Sequence, residues 1–191
     1  MNWIAFGIAA YMCLALEMGL RTLLLFPGGG IGQVSPSFML VLATFVALRA
    51  PAAMVTWVML VLGLLVDLTS TTIANGPVLG PASLGYVLGG WAVLQLRAMV
   101  FRESVLTLAV TTCIAGVFVH LGTVFLLSMR GPVTGEPVAS FSAADQLVHR
   151  FLQLLYTVAL SLPAGLILLR LAPAFGFRSR LSSRMVETVR G

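Results

Sequence analysis

The sequence predicts an all-α integral membrane protein of about six transmembrane helices, the second of them short, and three observations carry that prediction. The chain is 59% hydrophobic and only 9% charged, where soluble domains average about 45–50% apolar and about 25% charged residues. Its mean hydropathy is +1.05. The apolar residues fall into successive runs broken by Gly, Pro and Arg clusters, and 191 residues hold about six spans of roughly 20 residues with short connections. A sizeable soluble domain does not fit beside them. The expected organisation is one bundle over residues 1–171 and a basic cytoplasmic tail over residues 172–191.

Charge narrows the function classes. All eleven basic residues are arginines, against six acids, and the only concentrated run of them is the tail with Arg178, Arg180, Arg184 and Arg190. Apolar residues alternate with arginines there, which suits an interfacial anchor on anionic lipids, each Arg adding about 1 kcal/mol. A nucleic-acid partner would need a basic face with interleaved aromatics on a soluble surface, and none is present. Cys13 and Cys113 sit inside apolar runs, where free Cys behaves as a small hydrophobe.

The first span is expected over Trp3 to Phe26, because the N-terminus has no basic region of the kind a cleaved signal carries. Glu17 and Arg21 are spaced i,i+4 with the acid first, the better order for a helical ion pair; they either neutralise each other or meet a partner. Pro27 to Gly32 is a turn. Ser35-Pro36 marks the next helix start, and the run that follows ends at Arg49-Ala50-Pro51. About fourteen residues make roughly 21 Å of helix, less than a hydrocarbon core about 30 Å thick. This segment is therefore a short span in a thinned region or a re-entrant piece; Arg49 snorkelling at one end favours the span.

The centre of the chain is GLLVDLTSTTIANGPVLGPASLGYVLGG, Gly63 to Gly90. An apolar run delivers Asp67 to its own end, a Gly/Pro-rich reversal follows, and a second run opens with Gly80, Gly85, Tyr86 and Gly89. A charge at the bilayer centre costs roughly 2.5–3.5 kcal/mol and much less near the interface, which puts Asp67 near a helix end. There it either snorkels to the headgroups or makes a functional contact. Gly85 and Gly89 form a small-xxx-small pair that lets another backbone come close. Tyr86 is a packed aromatic, or its hydroxyl meets a polar group on a neighbouring helix.

Span five is expected from Ser104 to Met129, a loop with little regular structure from Arg130 to Phe141, and span six from Ser142 to Leu171, opened by a capping box through Asp145 and kinked at Pro163. His120 on span five is expected to be satisfied by a nearby carbonyl or hydroxyl. With only His149 as a second imidazole, no metal site and no cofactor are expected. If both termini are cytoplasmic, eight arginines lie inside and Arg21, Arg130 and Arg150 outside, the bias of the positive-inside rule. No hydrolase or metalloprotease motif occurs and no span carries paired carboxylates, which argues against an enzyme.

Pro36 with its apolar run, Leu48-Arg49, Gly63-Leu64-Leu65-Val66-Asp67-Leu68, and Gly80 with Leu84, Tyr86, Gly89 and Gly90 resemble the bacterial rod shape-determining protein MreD family over roughly residues 36–90. The resemblance implies a noncatalytic scaffold subunit of the cell-elongation machinery in the bacterial inner membrane. Its implied partners are an MreC-like bitopic protein, the actin-like MreB, and a RodA-type peptidoglycan glycosyltransferase with its transpeptidase. The chain departs from the family in having Ser37 where an acid often follows the proline. The second reading is the substrate-binding S subunit of an energy-coupling-factor vitamin transporter, a six-span fold the family is thought to share. On that reading Asp67, Glu17 and Arg21 would touch a ligand in a roomy outward cavity; on the scaffold reading, the faces of Gly85 and Gly89 would dock a partner's single span.

Overall fold

The computed structural model describes residues 2–20, 26–27, 33–69, 80–98, 104–134 and 143–176. They form six helices: α1 (Trp3–Gly19), α2 (Phe38–Arg49), α3 (Ala52–Thr69), α4 (Pro81–Leu96), α5 (Val105–Thr134) and α6 (Ala143–Leu171). One antiparallel pair of two-residue strands, β1 (Phe26–Pro27) and β2 (Gln33–Val34), joins α1 to α2, with Phe26 opposite Val34. Among the described residues three stretches are long and apolar enough to cross a membrane, Ala52–Thr69, Val105–Met129 and Leu147–Leu171. Large apolar side chains such as Ile4, Trp57, Leu106 and Ile167 stand on the outside of the bundle. Such a surface is stable against lipid, and the chain is an all-helical membrane protein.

The short second segment is where the expected picture changes. Every residue of α2 from Met39 to Leu48 is buried, and the helix packs against α1, α3, α4, α5 and α6. A helix that is apolar all round belongs in a core, and α2 is the axis of this one. At 12 residues it is about 18 Å long. Neither a thinned bilayer nor Arg49 snorkelling is needed to house it, because protein surrounds it in place of lipid. Its ends carry the difficulty instead, since four N–H groups and four carbonyls there have no partner within the helix. At the N-terminus the Ser37 amide donates to Thr157 Oγ1 at 3.0 Å, Met39 N–H to Glu17 Oε2 at 3.2 Å, and Leu40 N–H to Ser37 Oγ at 3.4 Å. At the other end Arg97 Nη1 donates to the Ala50 carbonyl at 2.8 Å.

The remaining helices pack in succession, α3 on α4, α4 on α5, α5 on α6, while α1 packs chiefly on α2 and keeps most of its circumference exposed. Chain direction alternates. The Asn2 amide donates to the Phe175 carbonyl at 2.9 Å, so α1 starts where α6 finishes. Phe175 is 2% exposed and meets Phe45 edge-on at 5.6 Å between ring centroids. Residues 172–176 are thus turns folded onto the bundle, not the beginning of a detached tail, and the arginines from Arg178 to Arg190 lie outside the described residues.

Several boundaries move. α1 stops at Gly19, short of the expected Phe26; α2 is capped by Ser37 in place of the expected Ser35; and α4 is described from Pro81, against an expected start near Pro77, after Gly80 at φ +119°, a backbone conformation that side chains rarely adopt. α5 continues to Thr134, five residues into the expected loop. α6 passes through Pro163 without interruption, the missing bond falling at the Ala159 carbonyl.

Candidate functional site

The expected site residues divide into two helix clamps and one packing seam. Gly63 and Asp67 lie one turn apart on the same face of α3. A Cβ on Gly63 would fall on the Ser83 Cα and within 3.0 Å of the Ala82 carbonyl oxygen, so α3 and α4 touch backbone to backbone there. That approach brings the start of α4 to the Asp67 carboxylate. Oδ2 accepts from Gly80 N–H at 2.9 Å and Ser83 N–H at 3.0 Å, and Oδ1 accepts from Ala82 N–H at 3.0 Å. Asp67 is 3% exposed. It does not snorkel; it closes the N-terminus of α4, where the helix dipole also favours a negative charge.

Glu17 does the same for α2. Its carboxylate takes the Met39 amide and the Ser37 hydroxyl, the latter at 3.4 Å to both oxygens. Arg21, its expected partner, lies outside the described residues. Two acids at the ends of odd-numbered helices therefore hold the beginnings of the even-numbered helices that follow them, both at the end of the bundle opposite Asn2 and Phe175.

Gly85 and Gly89 are occupied within the chain. A Cβ on Gly85 would lie 2.7 Å from both the Val119 carbonyl oxygen and Thr123 Oγ1, and one on Gly89 would lie 3.0 Å from the Ala115 carbonyl oxygen. The small-xxx-small pair packs α4 on α5, so it offers no face to a partner's span. That expectation is corrected. The pattern marks a close backbone approach without saying which chain supplies the second backbone.

Between the two clamps all six helices bound a chamber of about 60 Å³. Glu17 and Ser37 form one wall, Tyr86 and Thr123 line it from α4 and α5, and His120, Arg150 and Gln153 face it from α5 and α6. Tyr86 is 3% exposed, with Glu17, Ser37, Asp67 and Arg150 in electrostatic reach of its hydroxyl. His120 departs from expectation: both ring nitrogens are buried without a hydrogen-bond partner among the described residues, and so is Arg150 Nε. From the sequence Arg150 is expected only as an outer-side charge and His120 as an imidazole with a partner. Their one available signal was an ionisable side chain inside an apolar run. Among the described residues no three His, Cys, Asp or Glu side chains come together as a metal set.

One acid, one arginine and one tyrosine, Glu17, Arg150 and Tyr86, do line a cavity, but it is not roomy. Pockets for drug-sized ligands run to about 300–1,000 Å³. This one has space for about four or five waters, or for one small polar group.

Fold and site together define a membrane-embedded helical bundle that spends its few ionisable groups on closing helix ends around a small polar chamber. No family model, no curated protein and no solved structure matches the chain.

Proposed function

We propose that this protein is a noncatalytic scaffold subunit of the bacterial cell-elongation complex, of the MreD type, which crosses the inner membrane six times with both termini in the cytoplasm. One observation carries the reading. The two intramembrane carboxylates, the groups best suited to bind or react, are engaged by backbone amides at the starts of α2 and α4, while large apolar faces of α1, α3 and α4 remain unpacked. Trp57 is 68% exposed, Leu84 51% and Trp91 61%. Faces of this kind, and not the Gly85–Gly89 seam, are where a bitopic partner's span would lie. The G-L-L-x-D-L resemblance also gains a physical content, since its glycine and acid are the two residues that join α3 to α4. Ser37 departs from the family pattern, and Glu17 brings a carboxylate to that same helix end from α1.

The topology rests on two supports. The Asn2–Phe175 hydrogen bond brings the start of α1 beside the end of α6, which supports an even number of crossings. Arg49 and Arg97 lie at that end too, as the positive-inside rule expects of a cytoplasmic face.

The chamber is the observation that favours the second reading, an S subunit binding a vitamin. Its volume of about 60 Å³ weighs against that, because such a ligand needs several times the space. Purification in mild detergent separates the two. A copurifying bitopic wall-synthesis protein is the expected result, and a stoichiometric bound vitamin without such a partner would replace the scaffold with a carrier.

A further inference from the structure

The chamber's hydrogen-bonding groups do not balance. Asp67 is engaged by three backbone amides and Glu17 by an amide and a hydroxyl, so both carboxylates are drawn into the positive ends of α4 and α2. Thr123 Oγ1 already donates to the Val119 carbonyl at 2.7 Å. The groups left over are on the α5–α6 wall: Arg150 Nε–H and the two ring nitrogens of His120, at least one of which carries a proton. A buried unsatisfied donor costs about 1–3 kcal/mol, and more when charged, so Arg150 Nε–H and the protonated nitrogen of His120 favour a ligand that accepts hydrogen bonds, while the other nitrogen of a neutral imidazole accepts one. Guanidinium and imidazole together are a recognition pair for an oxyanion. Glu17 lines the same small space from the opposite wall, so an anion is held on the α5–α6 side by Arg150 against the repulsion of that carboxylate.

We propose that the chamber binds a single phosphate-class oxyanion on Arg150 and His120, either free phosphate or the phosphate of an anionic lipid whose remainder stays outside. The volume of about 60 Å³ admits one such group. Of the other groups facing the chamber, the Gln153 amide can donate a further bond, while the Tyr86 hydroxyl is engaged with the Ser37 side chain. The site stands independently of the scaffold reading, since it asks only what the α5–α6 wall is short of.

The test uses the full chain purified in a neutral detergent and stripped of lipid. One arm titrates sodium phosphate against sodium chloride at constant ionic strength and follows the thermal midpoint; the other adds back phosphatidylglycerol or phosphatidylcholine and counts retained lipid by native mass spectrometry. A saturable rise in midpoint with phosphate identifies the free ion. Selective retention of phosphatidylglycerol without it identifies the lipid. Arg150→Met and His120→Leu, apolar replacements of similar volume, should each weaken the effect roughly tenfold or more, the loss of one charge-assisted contact. Arg170→Gln, an exposed arginine at the other end of α6, should leave it unchanged. If one chamber variant does not fold, the other decides. Failure of the wild-type protein to respond in either arm means the chamber holds water alone and overturns the proposal, as does an effect that survives both Arg150→Met and His120→Leu.

Discussion

Replacing Asp67 tests the clamp between α3 and α4 directly, because the structure fixes what each substitution removes. Asp67→Ala leaves three backbone donors, Gly80, Ala82 and Ser83, without their acceptor. A hydrogen bond to a charged group contributes about 1.5–3 kcal/mol, which for three bonds gives a nominal sum well above 4 kcal/mol. The real loss is smaller, since the Gly80 amide is only part-buried and water can replace its bond. About 3–5 kcal/mol is expected. Asp67→Asn is the informative contrast. If its carbonyl takes the place of Oδ2, the bonds from Gly80 and Ser83 survive, and its amide group then faces the Ala82 donor. One bond and the charge are lost, for about 1.5–2.5 kcal/mol. Reversible unfolding in mixed detergent–SDS micelles measures both values. The order wild type, Asn, Ala is required. If Asp67→Ala lay within about 0.5 kcal/mol of wild type, the capping account would be refuted and the carboxylate returned to the headgroups.

The glycines make a graded series in the same assay. Gly63→Ala should be the worst, costing about 3 kcal/mol, because its new Cβ meets the Ser83 backbone, which cannot turn aside; Gly85→Ala should cost about 1–3 kcal/mol through the Val119 carbonyl. Gly7→Ala on α1, with nothing within 4 Å, should stabilise by up to about 1 kcal/mol on helix propensity alone. Arg97→Met should cost about 1–3 kcal/mol by freeing the Ala50 carbonyl at the end of α2. The Thr44–Thr112 hydroxyl contact, 2.9 Å between α2 and α5, should give a double-mutant coupling below about 1 kcal/mol with valine replacements, since each hydroxyl also bonds its own helix. Reporter fusions at the two termini should respond from the same compartment, and opposite responses would break the alternating arrangement of the helices.

The centre of the chain was the most legible part. Asp67 near a helix end follows from local chemistry, and so does a helix start just after Ser35-Pro36, although the cap is Ser37, two residues beyond the expected Ser35. The role of Asp67 was not fixed by the same residues, because its three donors lie 13 to 16 positions away. α2 misled for a different reason. Its shortness was visible, but an apolar residue facing lipid and one facing a protein core look alike in a sequence, so the segment was measured against a bilayer it never meets. The chamber was the least legible. His120 and Arg150 are 30 positions apart on different helices, and only the packing of α5 on α6 makes them neighbours of one space.

The direction of the two clamps has a consequence for how the protein is made. Glu17 is synthesised before Ser37 and Met39, and Asp67 before Gly80, Ala82 and Ser83, so each carboxylate has left the ribosome when the helix it receives emerges. The first four helices can then enter the membrane as two self-closing hairpins. α2, at 12 residues too short to reach across lipid by itself, would on this order be held to α1 through Glu17 before the later helices enclose it.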